Sequence, residues 1–89
     1  MLSTAQLERR VKGFSNHRRI QIMVLLNSEP GLSLLDIAEK TKTNFKTIAE
    51  HTRRLRLAGM ITKKYKGNMV AHKLSPRGQR VLRFLRTLE

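Results

Sequence analysis

Apolar residues recur along this chain with the period of an α-helix. In the first stretch, Leu7, Val11 and Phe14 fall on one narrow stripe. The second stretch, from about His17 to Leu26, is apolar nearly all the way round. Because a helix that is apolar on all sides is usually buried by its neighbours, the pattern predicts an amphipathic first helix and a central second helix.

Two shorter amphipathic segments follow, joined by about three residues. Ser33 is expected to begin the third helix, and its predicted core contacts are Leu35, Ile37 and Ala38. Asn44 caps the fourth helix, which Gly59 terminates. The apolar stripe of the fourth helix contains Ile48, Thr52 and Leu55.

The last third of the chain predicts a β-hairpin and a final helix. Two segments rich in β-branched and aromatic residues flank Gly67-Asn68, which suits a two-residue turn with positive φ. Ser75-Pro76 then begins the last helix, with proline at its first position. The apolar face of this helix contains Val81, Phe84, Leu85 and Leu88. The predicted chain is mainly α with a small β-hairpin.

Charge distinguishes the second half of the chain. The 89 residues carry 19 Lys and Arg against 6 Asp and Glu, a formal net charge of +13. Residues 1–42 hold 7 basic and 4 acidic side chains, whereas residues 43–89 hold 12 basic and 2 acidic, a net of +10. This surplus favours a polyanionic partner, nucleic acid ahead of an anionic membrane surface.

Chain length and composition narrow the class of protein further. The length fits a single domain over residues 1–89. No apolar run is long enough to span a membrane, and no signal peptide is found. Cysteine is absent, which excludes disulfides and thiolate metal sites, and a cytoplasmic location is expected.

The outward face of the fourth helix holds candidates for reading DNA bases. At about 100° per residue, Lys46, Glu50 and Arg53 point away from the apolar stripe. Recognition helices touch bases mainly from their N-terminal half, and Lys or Arg pairs with guanine, Glu with cytosine. The predicted base-reading residues are Asn44, Lys46, Thr47, Ala49, Glu50 and Arg53. The alternative is a solvated face on which Glu50 pairs with Arg53 or Arg54 one turn on.

Phosphate contacts are expected around that helix and from the hairpin. The candidates are Ser33, Lys42, His51, Arg54, Lys63, Lys64, Lys66, Asn68 and Lys73. A hairpin tip of this charge would lie along a phosphate backbone or probe the minor groove. Alternatively, its lysines prevent an exposed edge strand from pairing with a strand of another molecule. Tyr65 would stack on a base or, more often in a short hairpin, cover the core.

Three segments together resemble the winged helix-turn-helix regulators of the ArsR type. They are FSNHRRIQIMVLL, SLLDIAEKTKTNFKTIAEHTRRLRLAGMI and AHKLSPRG, similar to that family's second helix, its helix-turn-helix and the end of its wing. The resemblance covers roughly residues 14–78, and related MarR-like winged helices share it. It implies a winged helix-turn-helix fold of four helices, a hairpin and a fifth helix. It also implies a transcriptional regulator that binds double-stranded DNA and dimerises through its end helices.

Some residues depart from the family's pattern. Lys42 stands where a glycine is common, which costs about 1 kcal/mol if its φ is positive. Phe45 replaces a polar base-reading residue, and Thr52 replaces a core leucine. The last helix has no His or Asp, so the resemblance gives no support for metal sensing.

No cofactor, metal or catalytic chemistry is indicated. His17, His51 and His72 lie on different predicted elements and would bind a metal only if the fold gathered them. The chain has no nucleophile elbow, phosphate-binding glycine loop or paired carboxylates. An enzyme is therefore not expected.

The two terminal helices carry apolar stripes beyond what the central helices need, which invites pairing with a second copy. The predicted dimer interface is Leu7, Val11, Phe14, Val81, Phe84, Leu85 and Leu88. The alternative is that these helices pack on each other within one chain.

The sequence thus predicts a homodimeric, sequence-specific regulator that binds double-stranded DNA. Three alternatives remain: an architectural protein indifferent to sequence, a winged helix that binds an acidic protein, and an RNA-binding protein. The four aromatic residues weigh against RNA, because sheets that read RNA usually present an aromatic platform.

Overall fold

The computed structural model describes residues 1–89 and contains five helices and a two-stranded antiparallel sheet. The helices are α1 (Thr4–Phe14), α2 (His17–Ser28), α3 (Leu34–Thr41), α4 (Phe45–Leu57) and α5 (Pro76–Arg86). The strands are β1 (Ile61–Lys66) and β2 (Met69–Leu74). The predicted order of four helices, a hairpin and a fifth helix is confirmed. No helix is both long and apolar enough to cross a membrane.

Each helix begins at a side chain that accepts hydrogen bonds from the first free backbone N–H groups. The N-caps are Ser3, Asn16, Ser33, Asn44 and Ser75. Ser33 also forms a capping box with Asp36. Since caps satisfy donors that the helix itself leaves unpaired, these five residues fix the helix starts locally.

The core lies where α2, α3, α4, α5 and the base of the hairpin meet. Its buried side chains are Ile22, Met23, Leu26, Ile37, Ala38, Ile48, Leu55, Met60, Ile61, Leu74 and Leu82. The central position predicted for α2 is confirmed, because this helix contacts α3, α4, α5 and β2. Leu82, which the predicted stripe of α5 omitted, anchors that helix in the core.

The predicted core contact of Leu35 is wrong, and of the two alternatives given for Tyr65 the one that covers the core is not found, while base stacking stays a prediction. Leu35 is 58% exposed, whereas Leu34 packs against the core in its place. Tyr65 is exposed as well, because the hairpin extends past the core and only Ile61 of β1 is buried. The Lys63 ammonium lies 5.4 Å from the centre of the Tyr65 ring, a cation–π contact on the surface.

An isolated β-bridge connects the hairpin to the start of α3. Leu32 pairs with His72 in an antiparallel bridge. The Gly31 N–H donates to the His72 carbonyl at 2.8 Å, and the His72 N–H donates to the Leu32 carbonyl at 2.9 Å. The His72 Nδ1 lies 3.0 Å from the same Leu32 oxygen. These bonds fix the hairpin base to the residue just before the Ser33 cap.

The terminal helices pack on different parts of the core. α1 packs mainly against α4, and α5 packs on α2 and β2. α1 lies so close to the end of α4 at Gly13 that a β-carbon there would overlap the methyl of Ala58, the C-cap of α4. Extensive packing of α1 on α5 within one chain is not found among the main contacts.

Candidate nucleic-acid interface

α3 and α4 form a helix-turn-helix whose turn depends on Lys42. Lys42 has φ 53°, the one positive φ among the non-glycine residues. Its backbone N–H donates to the Ala38 and Glu39 carbonyls and closes α3. The prediction that this position could need positive φ is confirmed, so a side chain here costs about 1 kcal/mol relative to glycine. The Lys42 side chain itself is exposed beside the start of α4.

α4 has one buried and one exposed face. Ile48, Thr52 and Leu55 are buried, as predicted. On the opposite side Lys46, Glu50 and Arg53 are exposed. Among the other predicted base-reading residues, Asn44 and Thr47 are exposed and Ala49 is half-buried. The helix therefore presents a polar face of the kind that recognition helices place in the major groove.

Glu50 links two arginines on this exposed face. Its Oε1 accepts from Arg53 Nε at 2.9 Å, and its Oε2 accepts from Arg53 Nη2 at 2.9 Å and from Arg54 Nε at 3.0 Å. The hydrogen bonds from Arg53 and then Arg54 lower the pKa of Glu50 to about 2. The free chain therefore contains the Glu50–Arg53 and Glu50–Arg54 ion pairs that were predicted as the alternative to base reading. The carboxylate already accepts three hydrogen bonds, which leaves about one acceptor site, on Oε1, for a base unless an arginine moves away.

Asn44 uses one end of its side chain as a cap and keeps the other free. Its Oδ1 accepts from the Lys46 N–H at 2.8 Å and from the Thr47 N–H at 3.3 Å. The side-chain amide N–H groups have no partner in the chain. They are available as donors to a base or a phosphate at the N-terminus of α4.

His51 lies on the shoulder of α4 that faces α1 and α2. Its Nδ1 accepts from Arg19 Nε at 3.1 Å, and Arg19 Nη1 donates to the Lys12 carbonyl at 3.0 Å. Burial, followed by the charge of Arg19, lowers the pKa of His51. Arg19 therefore links α4 to α1, and the Nε2–H of the His51 imidazole has no partner in the chain, so it could still donate to a phosphate.

The hairpin carries exposed lysines on both of its faces. Lys63 pairs with His72, Lys64 with Ala71 and Lys66 with Met69 across the two strands. These lysines and Lys73 are exposed, and the ion pairs of the chain all lie elsewhere. Gly67 has φ 61° whereas Asn68 does not have positive φ, as in a type II′ turn. The tip is therefore narrow, cationic and free of acidic neighbours.

Ser33 caps α3, and Phe45 is the first residue of α4. Ser33 is half-buried, and its hydroxyl accepts from the Asp36 N–H at 3.1 Å, which leaves its O–H to donate outward. Phe45, passed over as a base reader because it is apolar, is 49% exposed at the first position of α4. An aromatic residue directly after a helix cap, with no core stripe to join, is the signal that could have identified it. Apolar side chains in this position can contact the thymine methyl group.

The three histidines are not gathered in one place. His51 bonds Arg19 and His72 bonds Leu32, while His17 begins α2. No group of three or more His, Asp or Glu side chains comes together in a way that could hold a metal ion.

The helix-turn-helix of α3 and α4, followed by a cationic hairpin, defines the winged helix-turn-helix class of DNA-binding domains. The chain belongs to the winged helix-turn-helix DNA-binding family, whose sequence model matches residues 15–62. No curated protein sequence gives a significant match.

Solved structures share the fold at low sequence identity. One is the homodimeric winged helix-turn-helix DNA-binding domain of a possible ArsR-family transcriptional regulator from Mycobacterium bovis. It has a TM-score of 0.83 and 22% identity, over 94% of this chain and 78% of that one. HlyU from Vibrio cholerae has a TM-score of 0.80 and 22% identity, over 96% and 92% of the two chains. NolR from Sinorhizobium fredii has a TM-score of 0.80 and 17% identity, over 99% and 94%.

Proposed function

We propose that this protein is a transcriptional regulator that binds specific double-stranded DNA sites as a homodimer. In this proposal α4 enters the major groove and the hairpin follows the backbone or the minor groove. The observation that carries it is the joint exposure of the polar α4 face and the lysine hairpin, with Glu50 as the one acidic side chain among them. The ArsR-type resemblance and the homodimeric Mycobacterium bovis domain support the regulatory part.

Base reading is assigned to the first half of α4. Lys46 is exposed there and suits guanine acceptors, and Glu50 suits the cytosine amino group. Phosphates are the natural new partners for Arg53 and Arg54, so binding would release Glu50 from at least one arginine. Glu50 would then have more free acceptor sites in the DNA complex than in the free protein.

Dimerisation is assigned to the terminal helices. Leu7 and Val11 on α1 are about half exposed, and Phe84 on α5 and Leu88, two residues past the end of α5, are more exposed. Phe14 and Val81 pack against the monomer core instead, and Leu85 is half-buried. The proposed interface therefore centres on the four exposed residues, with Leu85 at its edge.

A selection of bound sites from random duplex DNA tests the proposal. We expect a motif with two-fold symmetry, as a dimer reading two half-sites requires. Lys46→Ala and Glu50→Gln should each change the preferred bases, by about 1–3 kcal/mol for a lost base contact. Arg80→Ala, which removes an exposed charge from α5, is the matched control and should leave the motif unchanged. DNA binding without any preferred motif would instead indicate an architectural protein that is indifferent to sequence.

A further inference from the structure

A basic cleft lies between α1 and the C-terminal half of α4. Its volume is about 500 Å³, and its lining includes five cationic side chains and no acidic one. The cations are Arg9, Arg10, Lys12, Arg19 and Arg54. Gly13 and Ala58 also line the cleft, and a β-carbon at Gly13 would overlap the Ala58 methyl.

The arginines of the cleft have donors that the protein does not use. Arg19 is held half-buried by His51 and by the Lys12 and Gly13 carbonyls, and its Nη2 has no partner. Arg54 uses only its Nε, toward Glu50. Arg9 and Arg10 make no ion pair. Guanidinium groups crowded in this way repel one another unless an anion joins them.

We propose that this cleft binds a small organic polyanion with at least two phosphate groups. Arginine forks bind phosphate oxygens in pairs, and the volume falls within the range of about 300–1,000 Å³ typical of small-molecule sites. Leu2 and Leu57 also line the cleft and provide an apolar wall for the organic part. A stretch of DNA backbone, the other source of phosphate, has no use for such a wall.

The cleft is connected to the exposed face of α4 through Arg54. Arg54 can bind a phosphate with its free Nη groups while its Nε still donates to Glu50, so an occupied cleft brings a second negative charge close to this carboxylate. This consequence rests on the proposed function: a ligand between α1 and α4 would alter the availability of a base-reading carboxylate. The binding site itself does not depend on DNA.

Calorimetric titration of inorganic pyrophosphate into the DNA-free protein, at an ionic strength held constant with sodium chloride, tests the site. We expect saturable binding of one pyrophosphate per chain. Arg9→Ala/Arg10→Ala should weaken it about tenfold or more, and the matched pair Arg80→Ala/Arg83→Ala on α5 should change it less than about twofold. Equal weakening in both pairs, or heat without saturation, would overturn the proposal in favour of general charge screening.

A second variant guards against loss of folding. Arg9→Lys/Arg10→Lys keeps the charge and removes the paired donors, so its affinity should fall between those of the wild type and the alanine pair. If the alanine pair loses its helical circular dichroism and is therefore unfolded, the pyrophosphate affinity of the lysine pair tests the proposal instead. Wild-type affinity in the lysine pair would then contradict arginine-specific phosphate binding.

DNA binding separates the two sources of phosphate. The salt dependence of DNA affinity should be the same in Arg9→Ala/Arg10→Ala as in the wild type, since the cleft takes a free ligand. A slope reduced by about 4, that is, by two contacts in each subunit of the dimer, together with no pyrophosphate binding, would assign these arginines to the DNA backbone and overturn the proposal. A protein that binds pyrophosphate but no DNA would refute the proposed function alone.

Discussion

Thr52 is a buried residue whose polar group has no partner. It is 1% exposed in the middle of the apolar stripe of α4, and its hydroxyl makes no hydrogen bond. Thr41, also buried, shows the usual solution, because its hydroxyl donates to the Ile37 carbonyl one turn back at 2.7 Å. An unpaired hydroxyl in the core costs about 1–3 kcal/mol.

Replacing Thr52 with valine should therefore stabilise the fold. The change keeps the shape of the side chain and removes the unpaired group, so we expect the free energy of unfolding to rise by about 1–2 kcal/mol. Urea unfolding at one fixed protein concentration measures it. Thr41→Val is the matched control and should lower stability by about 0.5–1.5 kcal/mol. A loss of stability in Thr52→Val would show that this hydroxyl has a partner, such as a buried water.

His72 should make stability depend on pH. Burial is the main cause that lowers its pKa below the ordinary 6.5, and the charges of Lys63 and Arg56 act in the same direction. The unfolded chain then binds the proton more readily than the folded one. Stability is complete above about pH 6.5 and is lost as pH falls from there through the folded pKa. His51, with a lowered pKa as well, adds to the effect.

Melting temperatures between pH 7.5 and 5 provide the measurement. His72→Asn can still donate to the Leu32 carbonyl but does not titrate, so its melting temperature should fall less with pH than that of the wild type. His17→Asn, at an exposed position that begins α2, should follow the wild type. Identical profiles in all three proteins would exclude His72 as the group responsible.

At the scale of elements, local signals predicted more than distant ones did. Caps such as Ser33 and Asn44 determine helix starts from two or three neighbouring residues, and a sequence shows these directly. The Leu32–His72 bridge joins residues forty positions apart, and no local pattern indicates it. The choice between Leu34 and Leu35 depends on how α3 is rotated against the core, which the packing of the whole domain decides.

The hairpin should determine how DNA affinity responds to salt. Neutralising Lys63, Lys64 and Lys66 to alanine removes six lysines from a homodimer, so the slope of log affinity against log salt should fall by about 5, close to one unit per lost phosphate contact. The preferred sequence should stay the same, because phosphate contacts carry no base information. Arg80→Ala/Arg83→Ala on α5 is the control. For each charge removed, it should change the salt slope very little. An unchanged slope in the triple variant would mean that the hairpin does not touch phosphate.

At the scale of the molecule, the sequence predicted which surfaces are polar but not how their charges pair. Helical spacing alone placed Lys46, Glu50 and Arg53 on one exposed face, because it depends only on the turn per residue. The Glu50 cluster with both arginines depends on side-chain conformations, and the spacing allowed it as one alternative. The cleft beside Arg54 depends on the angle between α1 and α4, which is a property of the assembled domain.

The exposed stripes on α1 and α5 predict how two copies assemble. Phe84 on α5 is 59% exposed, and Leu88, in the turn two residues after the end of α5, is 69% exposed. Burying such side chains is worth roughly 1.5–3 kcal/mol each. We expect them to pack with Leu7 and Val11 across a two-fold axis. The two α4 helices would then lie about one DNA turn, roughly 34 Å, apart.

Phe84→Glu/Leu88→Glu should give a folded monomer with much weaker DNA binding. The fold should survive because the core residue that anchors α5 is Leu82, which this variant leaves in place, and each half-site alone binds with less than the affinity of the pair. Leu35→Glu, at an equally exposed leucine on α3, is the control and should remain dimeric. Sedimentation velocity at micromolar concentration measures the assembly, and circular dichroism the fold. A wild-type protein that sediments as a monomer would contradict the two-fold arrangement, and a double variant that unfolds would place these side chains in the core of the single chain.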